Sequence, residues 1–132
     1  MALYAEIIEI IAPEKAAPAS PVNIEIRIRN NHSLGIGIMA AAWLETGLQP
    51  LPVAMAESAA NVEAGEINTF RGRFTMPEGD VGLRAVSYWH GANGYWHADD
   101  EVIKAVKGDS GQFAAAASGD FAGFAVSSLT RL

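Results

Sequence analysis

The chain has 132 residues, half of them hydrophobic and 18% charged, with a formal net charge of −6 and no cysteine. A chain of this length buries roughly two-thirds of its unfolded surface around one core, so one folding domain is expected. The acidic balance, with no cluster of Lys and Arg, argues against binding to a nucleic-acid backbone, which needs a basic face. The missing cysteines exclude disulfides, thiolate metal sites and cysteine nucleophiles.

The N-terminal stretch MALYAEIIEIIAPEK has no basic leader and carries Glu6 and Glu9 inside its apolar run. That is wrong for a secretory signal, and no apolar run approaches the ~20 residues that cross a bilayer, so a soluble product without membrane insertion is expected. From Leu3 to Ile11 the run is β-branched enough for a strand, ended by the three prolines of APEKAAPASP. Residues 22–29 alternate strictly: Val22, Ile24, Ile26 and Ile28 against Asn23, Glu25, Arg27 and Arg29. A period of two over that length predicts a strand with one face on a core and one in water.

After a polar turn at Asn30, Asn31, His32 and Ser33 comes LGIGIMAAAWLE, in which Leu34, Ile36, Ile38, Ala40, Ala42 and Leu44 share one parity. Ala and Met favour helix over MAAAWLE. Gly35 and Gly37, with the alternation before them, favour a strand. The next twenty residues predict a connection holding a short edge strand near Pro52 to Ala56 and a turn at Ala64 and Gly65. INTFRGRFTMP then places Phe70, Gly72, Phe74 and Met76 on one face, and VGLRAVSYW places Val81, Leu83, Ala85, Ser87 and Trp89 inward. The turn between them is Pro77 to Asp80.

The segment YWHGANGYWH, residues 88–97, brackets four turn-forming or small residues with two aromatic triplets. Asn93 and Gly94 form a strong two-residue hairpin signal. A loop of two or of four residues leaves Trp89 and Trp96 on one face and Tyr88, His90, Tyr95 and His97 on the other. His90 and His97 then invite a metal with Asp99, Asp100 or Glu101, but no third or fourth ligand falls at a defined spacing. The expectation is no metal and no cofactor, with the charges of DDE as a solvated strand edge. Tyr88, Trp89, Tyr95 and Trp96 are the candidate ligand-binding residues, suited to stacking on a sugar. No GxSxG, HExxH or phosphate-cradling loop occurs, so no catalytic residues are assigned and no enzyme is expected.

About seven short strands separated by Pro, Gly and Asn turns describe an all-β antiparallel sandwich. A strand ending in Met76 and Pro77, a corner with Asp80 and a strand ending in aromatics resemble the E to F passage of immunoglobulin-like domains. More narrowly, V-x-A-G-E…F-x-G-x-F-T-M-P-x-x-D-V over residues 62–81 resembles bacterial cell-adhesion-related sandwich domains and small sandwiches of phage virion proteins. The resemblance implies a sandwich over residues 1–107 that works by protein–protein contact.

Beyond residue 107 the composition turns to Ala, Gly, Ser and Phe, with SGQFA repeated as SGDFA eight residues on. Phe113, Phe121, Phe124 and Leu129 are costly to leave in water, each worth roughly 1.5–3 kcal/mol if buried. Residues 108–132 are therefore expected to be a C-terminal arm that makes assembly contacts. Taken together, these features predict a non-enzymatic structural protein, a phage capsid decoration or tail component within a homo-oligomer or larger assembly. The alternative is a carbohydrate-binding or adhesion module at the extracellular surface, using the aromatic hairpin.

Overall fold

The computed structural model describes residues 2–47, 49–109 and 129–131, the last three by their backbone. The described residues form strands and turns and no helix. Six strands are long: β1 Ala5–Ile11, β3 Pro21–Asn30, β4 Ile36–Glu45, β8 Ile67–Thr75, β9 Val81–His90 and β10 Trp96–Gly108. Five are short: β2 Lys15–Ala16, β5 Leu51–Pro52, β6 Ala54–Met55, β7 Ala59–Val62 and β11 Leu129–Arg131.

They make two sheets. One has the order β1-β3-β8-β6; the other runs β11-β10-β9-β4-β5, with β7 also on β4 and β2 on β10. Lettering the strands in chain order, with the two-residue β5 and β6 as C′ and D, gives A-B-E-D against G-F-C-C′ with β11 beyond G, the strand arrangement of an immunoglobulin sandwich. The chain has an immunoglobulin-like fold. Its core lies between the sheets, where the alternating residues of each strand meet: Ile24, Ile26 and Ile28 from β3, Phe70 and Phe74 from β8, Ile38 and Leu44 from β4, Leu83 from β9 and Val102 and Val106 from β10. The helix propensity of MAAAWLE is overridden because β4 pairs on both flanks, with β9 along eight residues and with β5 and β7 on the other side.

Both open sides of the sandwich are closed by segments that change sheet. On one side β1 lies in the first sheet, and β2, beyond Pro13, pairs in parallel with β10 of the second. On the other side the edge strand expected near Pro52 to Ala56 is divided. Leu51 and Pro52 pair with Leu44 and Trp43, whereas Ala54 and Met55 pair with Arg73 and Gly72 in the opposite sheet. Val53 at the crossing is buried, and β7 then returns to β4. The seventh strand thus comes in three pieces, because Pro50 and Pro52 cannot sustain a continuous ladder.

Asn30, read from sequence as part of a polar turn, is instead the fully buried end of β3. Its amide nitrogen donates to the carbonyls of Leu34 and Val62, at 2.9 and 2.8 Å, and its Oδ1 accepts the His32 N–H. Three backbone groups are tied to one side chain in this way, which is why a polar residue is tolerated in the interior.

Candidate functional site: the outer face of the second sheet

The two outer faces of the sandwich differ in chemistry. On the first sheet the solvent side carries Glu6, Glu9, Glu25, Arg27, Arg29 and Arg71, paired as Arg27 with Glu9 at 2.9 Å, Arg29 with Glu6 at 3.6 Å and Arg71 with Glu25 at 3.4 Å. That is an ordinary charged exterior. On the second sheet the positions out of phase with the core are Met39, Ala41 and Trp43 on β4, Val86 and Tyr88 on β9, and Ala98 and Ile103 on β10. The register sets them in adjacent rows: Met39 beside Tyr88 beside Ala98, Ala41 beside Val86, and Trp43 beside Arg84 beside Ile103.

Arg84 is the charged centre of this face. Its Nη1 donates to Glu101 at 2.6 Å, its Nε lies 2.7 Å from Glu45 as an ion pair without hydrogen-bond alignment, and its guanidinium stands 5.3 Å from the Trp43 ring centre. The hydrogen bond to Glu101, with Glu45 adding, raises the Arg84 guanidinium above its ordinary value. The cation is thus held between two carboxylates within the sheet, with the apolar side chains arranged around this charged cluster. A shallow hollow of about 370 Å³ runs beside β4, lined by Met39, Ala41, Trp43, Pro52 and Met55 among others.

The hairpin between β9 and β10 departs from the expected parity. Trp96 pairs with His90 and His97 with Trp89. The loop has three residues, Ala92 to Gly94, closed by the Gly91 N–H donating to the Tyr95 carbonyl at 2.9 Å. Gly94 has φ 85° and its N–H donates to Gly91, while Asn93 stays in the ordinary negative-φ region. This is a type I turn followed by a left-handed glycine, and not the two-residue turn with both positions left-handed. An odd loop count reverses the parity that an even one preserves. Trp89 and His97 consequently face the core end, with ring centres 4.8 Å apart, and His90 and Trp96 face outward at 5.1 Å.

The four candidate ligand residues are divided accordingly. Trp89 packs against the core and against Tyr4, edge to face at 4.8 Å. Tyr88 and Trp96 lie on the outer face, and Tyr95 stands at the loop, 68% exposed. Of the candidate assembly residues, Phe113, Phe121 and Phe124 lie outside the described residues, and Leu129 opens β11, which pairs antiparallel with β10 at Lys104.

DDE is not a solvated edge. The register of β10 shifts between Ala98 and Glu101, so that Asp99 and Asp100 both oppose Ser87 as a bulge. Asp99 accepts the backbone N–H groups of Leu3, Tyr4 and Ala5 at 2.5, 2.7 and 2.6 Å. Asp100, 1% exposed, accepts the Ile7 N–H at 2.9 Å, and Ser87 donates to the Ala5 carbonyl. These carboxylates are spent on the fold and are not available to receive sugar hydroxyls. With His90 and His97 on opposite faces, the metal arrangement considered from sequence has no shared side, and no cluster of three metal-ligating groups occurs among the described residues.

Sequence reading did not pick out Met39, Ala41, Trp43, Val86 or Ile103. The signal was present: IMAAAWL lacks the polar out-of-phase positions that residues 22–29 possess.

No family model matches the chain, and no curated protein matches it. Among solved structures it is similar to the ASH/PapD-like domain of human CEP192 (PapD-like domain 7), at 11% identity and a TM-score of 0.48, over 77% of this chain and 83% of that one. It is also similar to the sporulation control protein Spo0M of Bacillus subtilis, at 14% identity and a TM-score of 0.49, over 80% of this chain and 49% of that one. The chain spans about half the length of Spo0M.

Proposed function

We propose that this chain is a non-enzymatic structural protein that binds other protein subunits through the outer face of its second sheet, as a capsid decoration or tail component of a phage virion. The observation that carries the reading is the contrast between the two exteriors: one sheet is covered by paired charges, whereas on the other the half-buried Met39, Ala41, Trp43, Val86, Tyr88 and Ile103 surround the ion-paired cluster at Arg84. Apolar side chains clustered on an outer face mark interaction sites, protein–protein contacts among them. The virion setting rests on the resemblance over residues 62–81.

The non-enzymatic part draws support from how the ionisable groups are used. Asp99 and Asp100 hold backbone, and Arg84 is engaged by Glu45 and Glu101. Val86→Lys combined with Ile103→Lys tests the reading, because both side chains point away from the core. The double variant should keep its thermal midpoint and lose incorporation into the particle or oligomer that the full chain joins. Unimpaired assembly of that variant would rule out this face as the contact.

A further inference from the structure

At the hairpin end of the same sheet, four neighbouring strands bring one transverse row together. Asn61 of β7 pairs with Gly37 of β4, Gly37 lies against His90 of β9, and His90 pairs with Trp96 of β10. At 4.7–4.9 Å per strand the row is about 14 Å long. Gly37 makes the depression in it: a Cβ there would lie 3.2 Å from the His90 Cβ and 3.4 Å from the Trp96 ring. The resulting groove, about 410 Å³, is lined by Gly37, Ala59, Ala60, Asn61, His90 and Trp96. That volume falls in the roughly 300–1,000 Å³ range of small-molecule sites.

The lining selects a chemical class. It contains no carboxylate, ammonium or guanidinium, so it offers an ionic ligand no counter-charge. It does contain an indole 41% exposed, a side-chain amide able to donate and accept, and an imidazole able to do the same. The groove floor is sheet face, with Gly37 and Ala60 in strands already paired across the β4–β7 ladder, so the floor presents side chains and not the strand edge that an added peptide strand would use. A neutral ring with an apolar face and a rim of hydroxyls uses every group present. We infer that this groove binds a neutral carbohydrate, one pyranose ring stacked on Trp96 with its hydroxyls on Asn61 and His90.

The test uses the full chain and calorimetric titration with neutral oligosaccharides of glucose, xylose, mannose and N-acetylglucosamine, beside oligogalacturonate and a proline-rich peptide. At least one neutral sugar should bind, and Trp96→Ala and Gly37→Val should each weaken it by about tenfold or more, roughly 1.4 kcal/mol per factor of ten. Trp96 is exposed, so its variant should keep the parent thermal midpoint; if Gly37→Val lowers the midpoint, Trp96→Ala alone decides. The inference is overturned if no neutral sugar saturates at millimolar concentration, if Trp96→Ala binds as the parent does, or if only the galacturonate or the peptide binds.

Discussion

The carboxylate of Asp99 on β10 accepts the backbone N–H of Tyr4, just ahead of β1, at 2.7 Å, joining the two sheets along their shared side. Strand β1 is the outermost of its sheet, and an outermost strand presents unpaired N–H groups that invite another chain. Here Asp99 and Asp100 occupy those of Leu3, Tyr4, Ala5 and Ile7. The bulge makes this possible, since in a regular strand consecutive side chains point to opposite faces.

Asp99→Ala should therefore destabilise the fold although the side chain is only half-buried. Hydrogen bonds to a charged group are worth about 1.5–3 kcal/mol, and three donors lose their acceptor, so a loss of about 2–3 kcal/mol is expected. Urea unfolding followed by circular dichroism measures it. A variant within about 0.5 kcal/mol of the parent, the usual scatter of surface changes, would show that the tether contributes nothing.

Ile26 on β3, opposite Phe70, and Phe74 on β8, opposite Val22, both face the core, Ile26 wholly buried and Phe74 nearly so. Ile26→Asp or Phe74→Asp places an unpaired charge there, a change whose cost exceeds what a domain with 5–15 kcal/mol of net stability, roughly, can absorb. Insoluble expression or loss of the cooperative thermal transition is expected. A soluble variant with an unchanged midpoint would contradict the packing.

His90 and His97 sit on opposite faces of one hairpin, each against a different tryptophan. Zinc or nickel should accordingly produce no stoichiometric heat and no shift in thermal midpoint. Sub-micromolar binding abolished by His97→Ala would require a hairpin with the other parity.

The same hairpin shows where sequence reading succeeds and where it stops. Residues 22–29 and 70–76 could be assigned to strand and face from alternation alone, because one face meets a core and the other meets water, and each side chain reports its own environment. The parity across residues 88–98 depends on one integer, the loop length, and Asn93 with Gly94 serves a three-residue loop as readily as a two-residue one. Asp99 and Asp100 were unreadable for a related reason: their partners are backbone N–H groups more than ninety positions away, which no local pattern encodes. The apolar outer face of β4 lay in the absence of alternation in IMAAAWL, visible only when both sides of β4 are considered.

The most direct test places a photo-crosslinking amino acid at Val86, between Ala41 and Glu101 on the outer face of the second sheet, in the full chain and irradiates the assembled material. Arg71, exposed on the charged exterior of the other sheet, is the matched control. A defined protein–protein adduct is expected from position 86 and none from position 71. Adducts from position 71 alone, or from neither, would contradict the proposed contact face.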